Sequence, residues 1–292
     1  MNFTGVGVAL VTPFIKNKVN YDVLKELLDF HMQNGTDYVV LLGSTAEAAT
    51  MSLKEKKALI EFAVSYVNKR IPLVVGTGTN DTKASISFSK LTQKLGADGL
   101  LVVTPYYNKP SQKGLVAHFK KIAQSVSIPV ILYNVPSRTG INMEAKTVFE
   151  LSKVSNIIGI KEASGNLNQV AEIIKLCGPN FVVLSGNDDQ TLDVLKMGGH
   201  GTISVTANII PAILSSLVRL YKVGNNVDKE FLELNDLNQI LFIETNPVPV
   251  KAALNHMGFN CGKPRLPLLP IEKKNDKMLV EVLKKYQLVN HG

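Results

Sequence analysis

Short apolar segments rich in valine, isoleucine and leucine alternate with helix-patterned segments along most of the chain. The apolar pattern predicts eight strands, at residues 6–11, 38–42, 73–76, 100–103, 130–133, 157–160, 182–184 and 202–204. They recur every ~20–35 residues, the scale of a strand–helix–strand unit. Nearly continuous apolar strands are typical of a parallel sheet with both faces covered. Eight such units predict an α/β fold, a closed (β/α)8 TIM barrel.

The strand pattern stops near Gly224. Residues 1–224 are therefore predicted to form the barrel that carries the active site, and residues 225–292 a C-terminal helical extension packed on it. Helices are expected near residues 228–242, 250–257 and 275–286. A doubly wound open sheet is the structural alternative. Its dinucleotide-binding fingerprint is missing, because Gly76-Thr77-Gly78 is followed by Asp81 where the motif requires glycine.

Two helix boundaries have clear local signals. A helix that starts at Asp22 is closed by Asn34 and Gly35, residue types that favour the left-handed turn at a helix C-terminus. A second helix follows Ser52, and Glu55 has the spacing that completes a capping box.

The composition, with 45% hydrophobic and 19% charged residues, is that of a globular protein. No apolar run approaches the ~18 residues of a membrane span, and residues 1–5 do not resemble the start of a signal peptide, so we expect a cytoplasmic protein. The formal charge of +8 comes from scattered lysines. Without a basic run interleaved with aromatic residues, no nucleic-acid or membrane partner is expected.

The two cysteines, Cys177 and Cys261, lie far apart in the sequence. We therefore expect both to be buried free thiols.

The segment 157–165 ends a predicted strand in Lys161, followed by a turn and a helical pattern. An ammonium group is costly to bury without a partner, and desolvation favours the neutral amine. A neutral lysine amine can attack a carbonyl group and form a Schiff base. Taken alone, the position also suits a lysine whose side chain simply extends to water.

Polar side chains gather at the carboxyl ends of the predicted strands, where barrel enzymes build their active sites. The set comprises Ser44, Thr45, Thr77, residues 104–107, Tyr133, Asn134, Lys161, Glu162, residues 185–187, Ile203 and Ser204. Asp188 and Asp189 are better explained as acidic residues at a helix N-terminus than as a metal pair. No metal site is predicted, because the histidines lack metal-ligand spacing; they are His31, His118, His200, His256 and His291.

Schiff-base chemistry needs the groups found in this set. The imine acidifies the neighbouring carbon, and loss of that proton gives an enamine, which is a carbon nucleophile. Tyr133 can move protons if hydroxyl groups relay them to solvent. Thr45 offers hydroxyl and backbone donors to a substrate carboxylate, and Arg138 can hold a second carboxylate with two hydrogen bonds. Each residue alone has an ordinary structural explanation, but their joint placement favours the functional one.

Several long stretches match one enzyme family. They are residues 5–13, 43–47, 76–81, 104–115 (TPYYNKPSQKGL), 133–140 (YNVPSRTG), 159–165, 185–190 (SGNDDQ) and 246–251 (NPVPVK). Over essentially its full length the chain resembles the dihydrodipicolinate synthase family. That family lies in the pyruvate-dependent class I aldolase superfamily, which also includes the N-acetylneuraminate lyases.

The resemblance implies a condensation of pyruvate with L-aspartate 4-semialdehyde on the diaminopimelate route to lysine, with no metal or organic cofactor. Lys161 would form the imine, and Tyr133 would donate and accept protons, linked through the Ser44 hydroxyl to Tyr107. In this family Tyr107 comes from the neighbouring subunit, which implies a homodimer or a homotetramer.

The resemblance also assigns the substrate contacts. Thr45 would bind the pyruvate carboxylate, and Arg138 would bind the carboxylate of the semialdehyde. Gly186 and Ile203 would contribute backbone groups.

The chain departs from the family at residues 43–47, where GSTAE replaces the usual GTTGE. Ser44 keeps a relay hydroxyl but lacks the methyl group that restricts threonine's χ1, so a competent but slower relay is expected.

Feedback inhibition is the second departure. Family members inhibited by lysine place histidine and an acidic residue in a cleft at the tight-dimer interface. This chain matches the family in that cleft at Asn80 and Tyr106 but has Leu53, Lys56 and Ala84 elsewhere in it, and Ala49 also belongs to the cleft. A cleft that gains a lysine and loses its carboxylate should bind a cationic amino acid poorly.

Two alternatives to the synthase stay open. A pyruvate-dependent sugar-acid aldolase is the nearer one, because Gly-Ser-Thr also begins this motif in the N-acetylneuraminate lyases. Arg138 and the YYNKP stretch at residues 106–110 favour the synthase. A non-catalytic basic barrel that binds nucleic acid or a partner protein belongs to a different class. This alternative is disfavoured by the joint presence of four residues: Lys161, Tyr133, Tyr107 and Arg138.

Overall fold

The structure is a computed structural model that describes residues 3–289 of the chain. His291, one of the histidines considered above, lies outside the described residues. Eight parallel strands form a closed barrel, in which strands that follow each other in the chain are neighbours and the first strand pairs with the last. The predicted (β/α)8 barrel is therefore confirmed.

The barrel strands agree closely with the apolar pattern. They are β1 (Gly5–Ala9), β4 (Tyr38–Leu41), β5 (Leu73–Gly76), β6 (Gly99–Val103), β7 (Val130–Asn134), β8 (Ile157–Glu162), β9 (Val182–Ser185) and β10 (Gly201–Ser204); β2 (Phe14–Ile15) and β3 (Lys18–Val19) form a separate antiparallel hairpin. β7 and β8 run further than the apolar pattern, because Asn134 and Glu162 are still paired across the two strands. β1 ends two residues early, although Leu10 still donates its N–H to the Val40 carbonyl (3.1 Å).

Helices follow the strands as the alternation predicts. They are α1 (Tyr21–Gln33), α2 (Leu53–Val67), α3 (Thr82–Lys94), α4 (Gln112–Ala123), α5 (Pro136–Thr139), α6 (Ala145–Leu151), α7 (Leu167–Cys177), α8 (Thr191–Lys196), α9 (Pro211–Lys222), α10 (Asp228–Glu233), α11 (Asn235–Ile240), α12 (Val248–His256) and α13 (Lys273–Lys285). No helix within residues 3–289 is both long and apolar enough to cross a membrane.

The chain folds into two compact units. Within the described residues, one unit contains residues 3–7 together with residues 72–203, and the other contains residues 8–71 together with residues 204–289. The predicted boundary at Gly224, between a barrel and an extension, stays a prediction.

Apolar side chains of strands and helices build the core of the first unit. Leu132 and Ile160 from β7 and β8 are fully buried in one cluster with Phe119 of α4, Val148 of α6 and Ile173 of α7. Burial of such side chains stabilises the folded state by roughly 1.5–3 kcal/mol each. The packing holds β7 and β8 rigidly beside each other.

Helix ends in the second unit follow the predicted local chemistry. Asn34 caps α1 by donating its N–H to the Phe30 carbonyl (3.1 Å). The capping box of α2 is confirmed, since Glu55 N–H donates to Ser52 Oγ (3.3 Å) and Ser52 N–H donates to the Glu55 carboxylate (2.9 Å).

The C-terminal helices differ in detail from their predictions. The helix predicted over residues 228–242 is two short helices, α10 and α11. The division falls at Leu234, whose N–H donates to Phe231, three residues back, and so tightens the last turn of α10 (3.2 Å). α12 and α13 each begin two residues before their predicted starts.

Both cysteines are free thiols, as predicted. Cys261 is buried, whereas Cys177 is only partly buried. Burial raises the pKa of Cys261 to about 12, so this thiol is protonated and unreactive at neutral pH.

Two histidines are enclosed in the fold. His31 Nδ1 lies 2.9 Å from Thr36 Oγ1, and His118 Nδ1 lies 2.9 Å from Thr82 Oγ1. Burial lowers the pKa of His31 to about 3. Burial also lowers the pKa of His118 to about 4, against the opposing effect of Asp81. Both imidazoles are therefore neutral in the folded protein at pH 7.

Stability should fall with decreasing pH because of these histidines. Between pH 6.5 and the lowered pKa, the unfolded state binds a proton that the folded state excludes. Each histidine then costs about 1.4 kcal/mol of the free energy of unfolding for every pH unit below 6.5. Urea denaturation from pH 7 to pH 5 measures this slope. The slope should be smaller in His31→Gln, which cannot titrate, and equal slopes in the two proteins would contradict the argument.

Candidate active site

Lys161 lies near the carboxyl end of β8 and is only 5% exposed. Its Cα is paired with Tyr133 on β7 and with Leu184 on β9. Burial rules out the alternative in which the side chain simply extends into water. The amine is therefore held inside the protein at the position that the sequence pattern indicated.

Tyr133 lies directly beside this amine. Lys161 Nζ is 4.6 Å from the centroid of the Tyr133 ring, and the tyrosine is 7% exposed. Paired residues on adjacent parallel strands project from the same face of a sheet, so the register of β7 and β8 brings the two side chains together. An amine and a phenol thus share one buried location.

Gly186 lies against the stem of Lys161. A Cβ atom at this position would lie 3.1 Å from Lys161 Cε and 2.6 Å from Ala163 Cβ. The Gly186 N–H donates to the Glu162 carbonyl (2.7 Å), which fixes the backbone beside the lysine. Glycine is needed here because any side chain would displace Lys161 or its neighbour.

Glu162 has a structural role that the sequence argument missed. Its side chain is buried, and its carboxylate accepts hydrogen bonds from Asn134 Nδ2 (3.0 Å), Ser164 N–H (2.7 Å) and Gln169 Nε2 (3.1 Å). Burial raises the pKa of Glu162, and these hydrogen bonds oppose the rise. The network ties the ends of β7 and β8 together, because Asn134 directly follows Tyr133 and Glu162 directly follows Lys161. In the sequence, only the positions of Asn134 and Glu162, directly after Tyr133 and Lys161, indicated this structural role.

Asn142 extends this network. It accepts from Asn134 Nδ2 (2.7 Å) and donates to Gln169 Oε1 (2.7 Å), while Asn134 Oδ1 accepts from the Met143 N–H (2.9 Å). Buried polar groups that are fully hydrogen-bonded rigidify their surroundings. The network therefore supports the strand ends that carry Tyr133 and Lys161.

The loop after β4 consists of two 3₁₀ turns, Ser44–Ala46 and Ala48–Thr50. Glu47 joins them in a left-handed conformation (φ 55°). Ser44 is exposed, whereas Thr45 is buried and its Oγ1 accepts from Asn246 Nδ2 (2.9 Å). The loop is thus held by a residue far along the chain.

A buried ion pair supports the same loop. Lys251 Nζ lies 2.8 Å from Glu47 Oε1, and both side chains are 1% exposed. Burial lowers the pKa of Lys251, and the nearby Glu47 opposes the shift. The second carboxylate oxygen of Glu47 accepts the Arg265 N–H (2.7 Å). Glu47 is thus stabilised by two partners.

The remaining predicted site residues occupy varied positions. Arg138 is exposed on α5, and Ile203 is fully buried on β10. Tyr107 is 89% exposed and has a left-handed backbone (φ 71°). Such a conformation is uncommon for a bulky residue and concentrates at functional positions.

The residues of the predicted lysine cleft are mostly exposed. Ala49, Leu53 and Ala84 are exposed, and Tyr106 is 39% exposed. Lys56 is half-buried, and desolvation lowers its pKa. The Asn80 carbonyl accepts a hydrogen bond from Asn108 Nδ2 (2.8 Å).

No metal-binding cluster of three or more His, Cys, Asp or Glu side chains occurs within residues 3–289. Asp188 and Asp189 occupy a 3₁₀ turn (Asp188–Gln190) that leads into α8. This placement agrees with their interpretation as acidic residues at a helix start.

A closed (β/α)8 barrel with a buried amine beside a phenol at one strand end defines a class I aldolase-type enzyme. Comparison with known proteins narrows the class. The model of the Dihydrodipicolinate synthetase family matches residues 2–286. The chain belongs to this family.

Individual relatives cover nearly the whole chain. The 4-hydroxy-tetrahydrodipicolinate synthase of Acetivibrio thermocellus is 52% identical over 289 residues, which is 98% of each chain. The crystal structure of dihydrodipicolinate synthase from Aquifex aeolicus covers 99% of this chain and 100% of its own, with 43% identity and a TM-score of 0.97. The chloride-inhibited enzyme from Acinetobacter baumannii, solved in complex with pyruvate, has 38% identity and a TM-score of 0.96, and the match covers 99% of this chain and 100% of that one.

Breaking the buried Lys251–Glu47 pair should destabilise the protein strongly. Lys251→Met leaves a buried carboxylate without its cation, which typically costs about 3–5 kcal/mol of the free energy of unfolding. Urea denaturation measures the loss. Lys57→Met removes an exposed pair with Glu61 (3.6 Å) and should change stability little.

The double variant Glu47→Gln with Lys251→Met removes both charges of the pair. It should recover part of the stability that Lys251→Met loses. Equal small effects for Lys251→Met and Lys57→Met would contradict the role given to the buried pair.

Proposed function

We propose that this chain condenses pyruvate with L-aspartate 4-semialdehyde through a Schiff base on Lys161, as a 4-hydroxy-tetrahydrodipicolinate synthase of the diaminopimelate route to lysine. The observation that carries the proposal is the buried Lys161 amine beside Tyr133 in a chain of this family. The complex of the Acinetobacter baumannii relative with pyruvate supports the choice of the first substrate.

The bond changes follow from amine chemistry. The Lys161 amine attacks the keto carbon of pyruvate, and loss of water gives the imine. Loss of a methyl proton then gives the enamine, whose carbon attacks the aldehyde and forms the new carbon–carbon bond. The amino group of the second substrate finally displaces Lys161 and closes the heterocycle. This step regenerates the free Lys161 amine. The proposed reaction therefore uses the imine in place of a metal or an organic cofactor.

The other site residues take supporting roles in the proposal. Tyr133 donates and accepts protons, and the hydroxyls of Ser44 and Tyr107 relay them. Thr45 binds the pyruvate carboxylate, and Arg138 binds the carboxylate of the semialdehyde with a bidentate pair.

Backbone groups and a second subunit complete the proposed site. Gly186 and Ile203 contribute backbone groups to substrate binding. The 89% exposure of Tyr107 supports its use by a neighbouring subunit, in a homodimer or a homotetramer. The proposed location is the cytoplasm.

A pyruvate-dependent aldolase of sugar acids, such as an N-acetylneuraminate lyase, is the second candidate. The sequence Gly43-Ser44-Thr45 favours it, because those lyases begin the motif in the same way. Both candidates share the imine with pyruvate and differ in the aldehyde that they consume.

Borohydride trapping tests the shared step. Incubation with pyruvate and borohydride, followed by intact mass and peptide mapping, should place a reduced pyruvate adduct on Lys161. Lys161→Ala should give no adduct, and Lys146→Ala, which removes an exposed lysine, should still give one. A folded protein without an adduct would rule out the imine mechanism.

The aldehyde separates the two candidates. Turnover with L-aspartate 4-semialdehyde but not with N-acetylmannosamine is expected. The opposite preference would assign the chain to the sugar-acid aldolases.

We also propose weak or absent feedback inhibition by lysine. The predicted cleft has Lys56 and lacks an acidic side chain at Ala84, so it repels a cationic ligand. A lysine titration of the condensation rate should show little inhibition at concentrations of about 1 mM. Strong inhibition at or below that concentration would contradict this assignment.

A further inference from the structure

Thr45 carries a buried hydroxyl group that accepts a hydrogen bond from another buried side chain. The residue is 3% exposed, and its Oγ1 accepts a hydrogen bond from Asn246 Nδ2 (2.9 Å), an amide that is itself buried. A hydroxyl group has one proton to donate and two lone pairs to accept with. The Asn246 amide uses one lone pair and directs the hydroxyl proton away from itself.

That proton has no acceptor within the part of the chain that the structure describes. Among residues 3–289, the one side-chain hydrogen bond of Thr45 is the one it accepts from Asn246. Buried hydroxyl donors are normally satisfied. The geometry therefore points to an acceptor supplied by a ligand, such as a carboxylate oxygen.

Asn246 is held in place by the segment that carries it. It precedes α12, whose Lys251 forms the buried pair with Glu47 (2.8 Å), two residues beyond Thr45. The Lys251 N–H also donates to the Pro247 carbonyl (3.0 Å). The turn from Thr45 to Glu47 is thus bound at both ends by one short segment of chain.

We propose that Asn246 is a positioning residue that turns the Thr45 hydroxyl into a donor for the carboxylate of the 2-oxo acid substrate. The inference rests on the proposed function and specifies how that site selects a carboxylate. An amide is required at position 246, because a group that only accepts would draw the Thr45 proton to itself. Asn246 acts through Thr45 and does not touch the reacting atoms.

Asn246→Asp tests this directional role with almost no change of shape. An ionised aspartate only accepts hydrogen bonds, so Thr45 would donate to it and the new charge would repel the substrate carboxylate. The pyruvate concentration that half-saturates borohydride trapping should rise about tenfold or more, as expected for the loss of a hydrogen bond to a charged group. Trapping at saturating pyruvate should still modify Lys161.

Two further variants separate the effect of the direction of the Thr45 hydrogen bond from a general effect on the stability of the protein. Asn246→Ala removes the donor without supplying a competing acceptor, so its half-saturating pyruvate concentration should rise less than that of Asn246→Asp. Asn255→Asp is the matched control, because Asn255 also bonds its amide to backbone groups, at Gly262 (3.0 Å and 3.1 Å), but is exposed on α12. It should leave the half-saturating concentration unchanged.

The outcomes distinguish this inference from the proposed function. A wild-type protein that gives no adduct would overturn both. An adduct in the wild type with an unchanged half-saturating concentration in Asn246→Asp would overturn the inference alone. An equal rise in Asn246→Asp and Asn246→Ala would also overturn it, because loss of packing would then explain both. If Asn246→Asp does not fold, Thr45→Val, which lacks the hydroxyl proton, must give the tenfold rise, and an unchanged value would overturn the inference.

Discussion

The pairing of β7 with β8 is the constraint on which the rest of the site depends. It aligns Tyr133 with Lys161 and Asn134 with Glu162. Successive side chains project from opposite faces of a strand, so Tyr133 and Lys161 meet on one face of the sheet. Asn134 and Glu162 meet on the other face, where they join the polar network that includes α7. A slip of one residue would move the amine out of its site and leave the Glu162 carboxylate without its donors. The network that stabilises the strand ends is therefore also the one that fixes the amine beside the phenol.

The second compact unit uses the same strategy on a loop instead of a strand. The turn from Ser44 to Glu47 has no ladder of backbone hydrogen bonds to hold it. It is supported by the Asn246 amide on Thr45 and by the Lys251–Glu47 pair. A buried ion pair contributes little net stability compared with apolar packing, but it strongly disfavours any arrangement that separates the charges. It is well suited to holding a loop in one conformation.

Local patterns in the sequence accounted for much of the fold and for part of the site. Apolar periodicity located the barrel strands, and the capping box of Ser52 was visible from spacing alone. The strand pattern placed Lys161 at a strand end but left open whether its side chain is buried or extends to water. The supporting contacts were not predictable in this way. Asn246 lies 201 residues from Thr45, and Lys251 lies 204 residues from Glu47. Side-chain pairing over such separations depends on tertiary packing, which periodicity does not encode. The break at Leu234 was missed because its apolar pattern continues through the turn.

The central claim is that register and burial prepare the Lys161 amine to react beside Tyr133. A crystal structure of the protein soaked with pyruvate tests it most directly. We expect continuous density from Lys161 Nζ to the keto carbon of pyruvate, with the Tyr133 hydroxyl within about 3 Å of the adduct. Pyruvate bound elsewhere, with a free Lys161 amine in a fully occupied site, would contradict it.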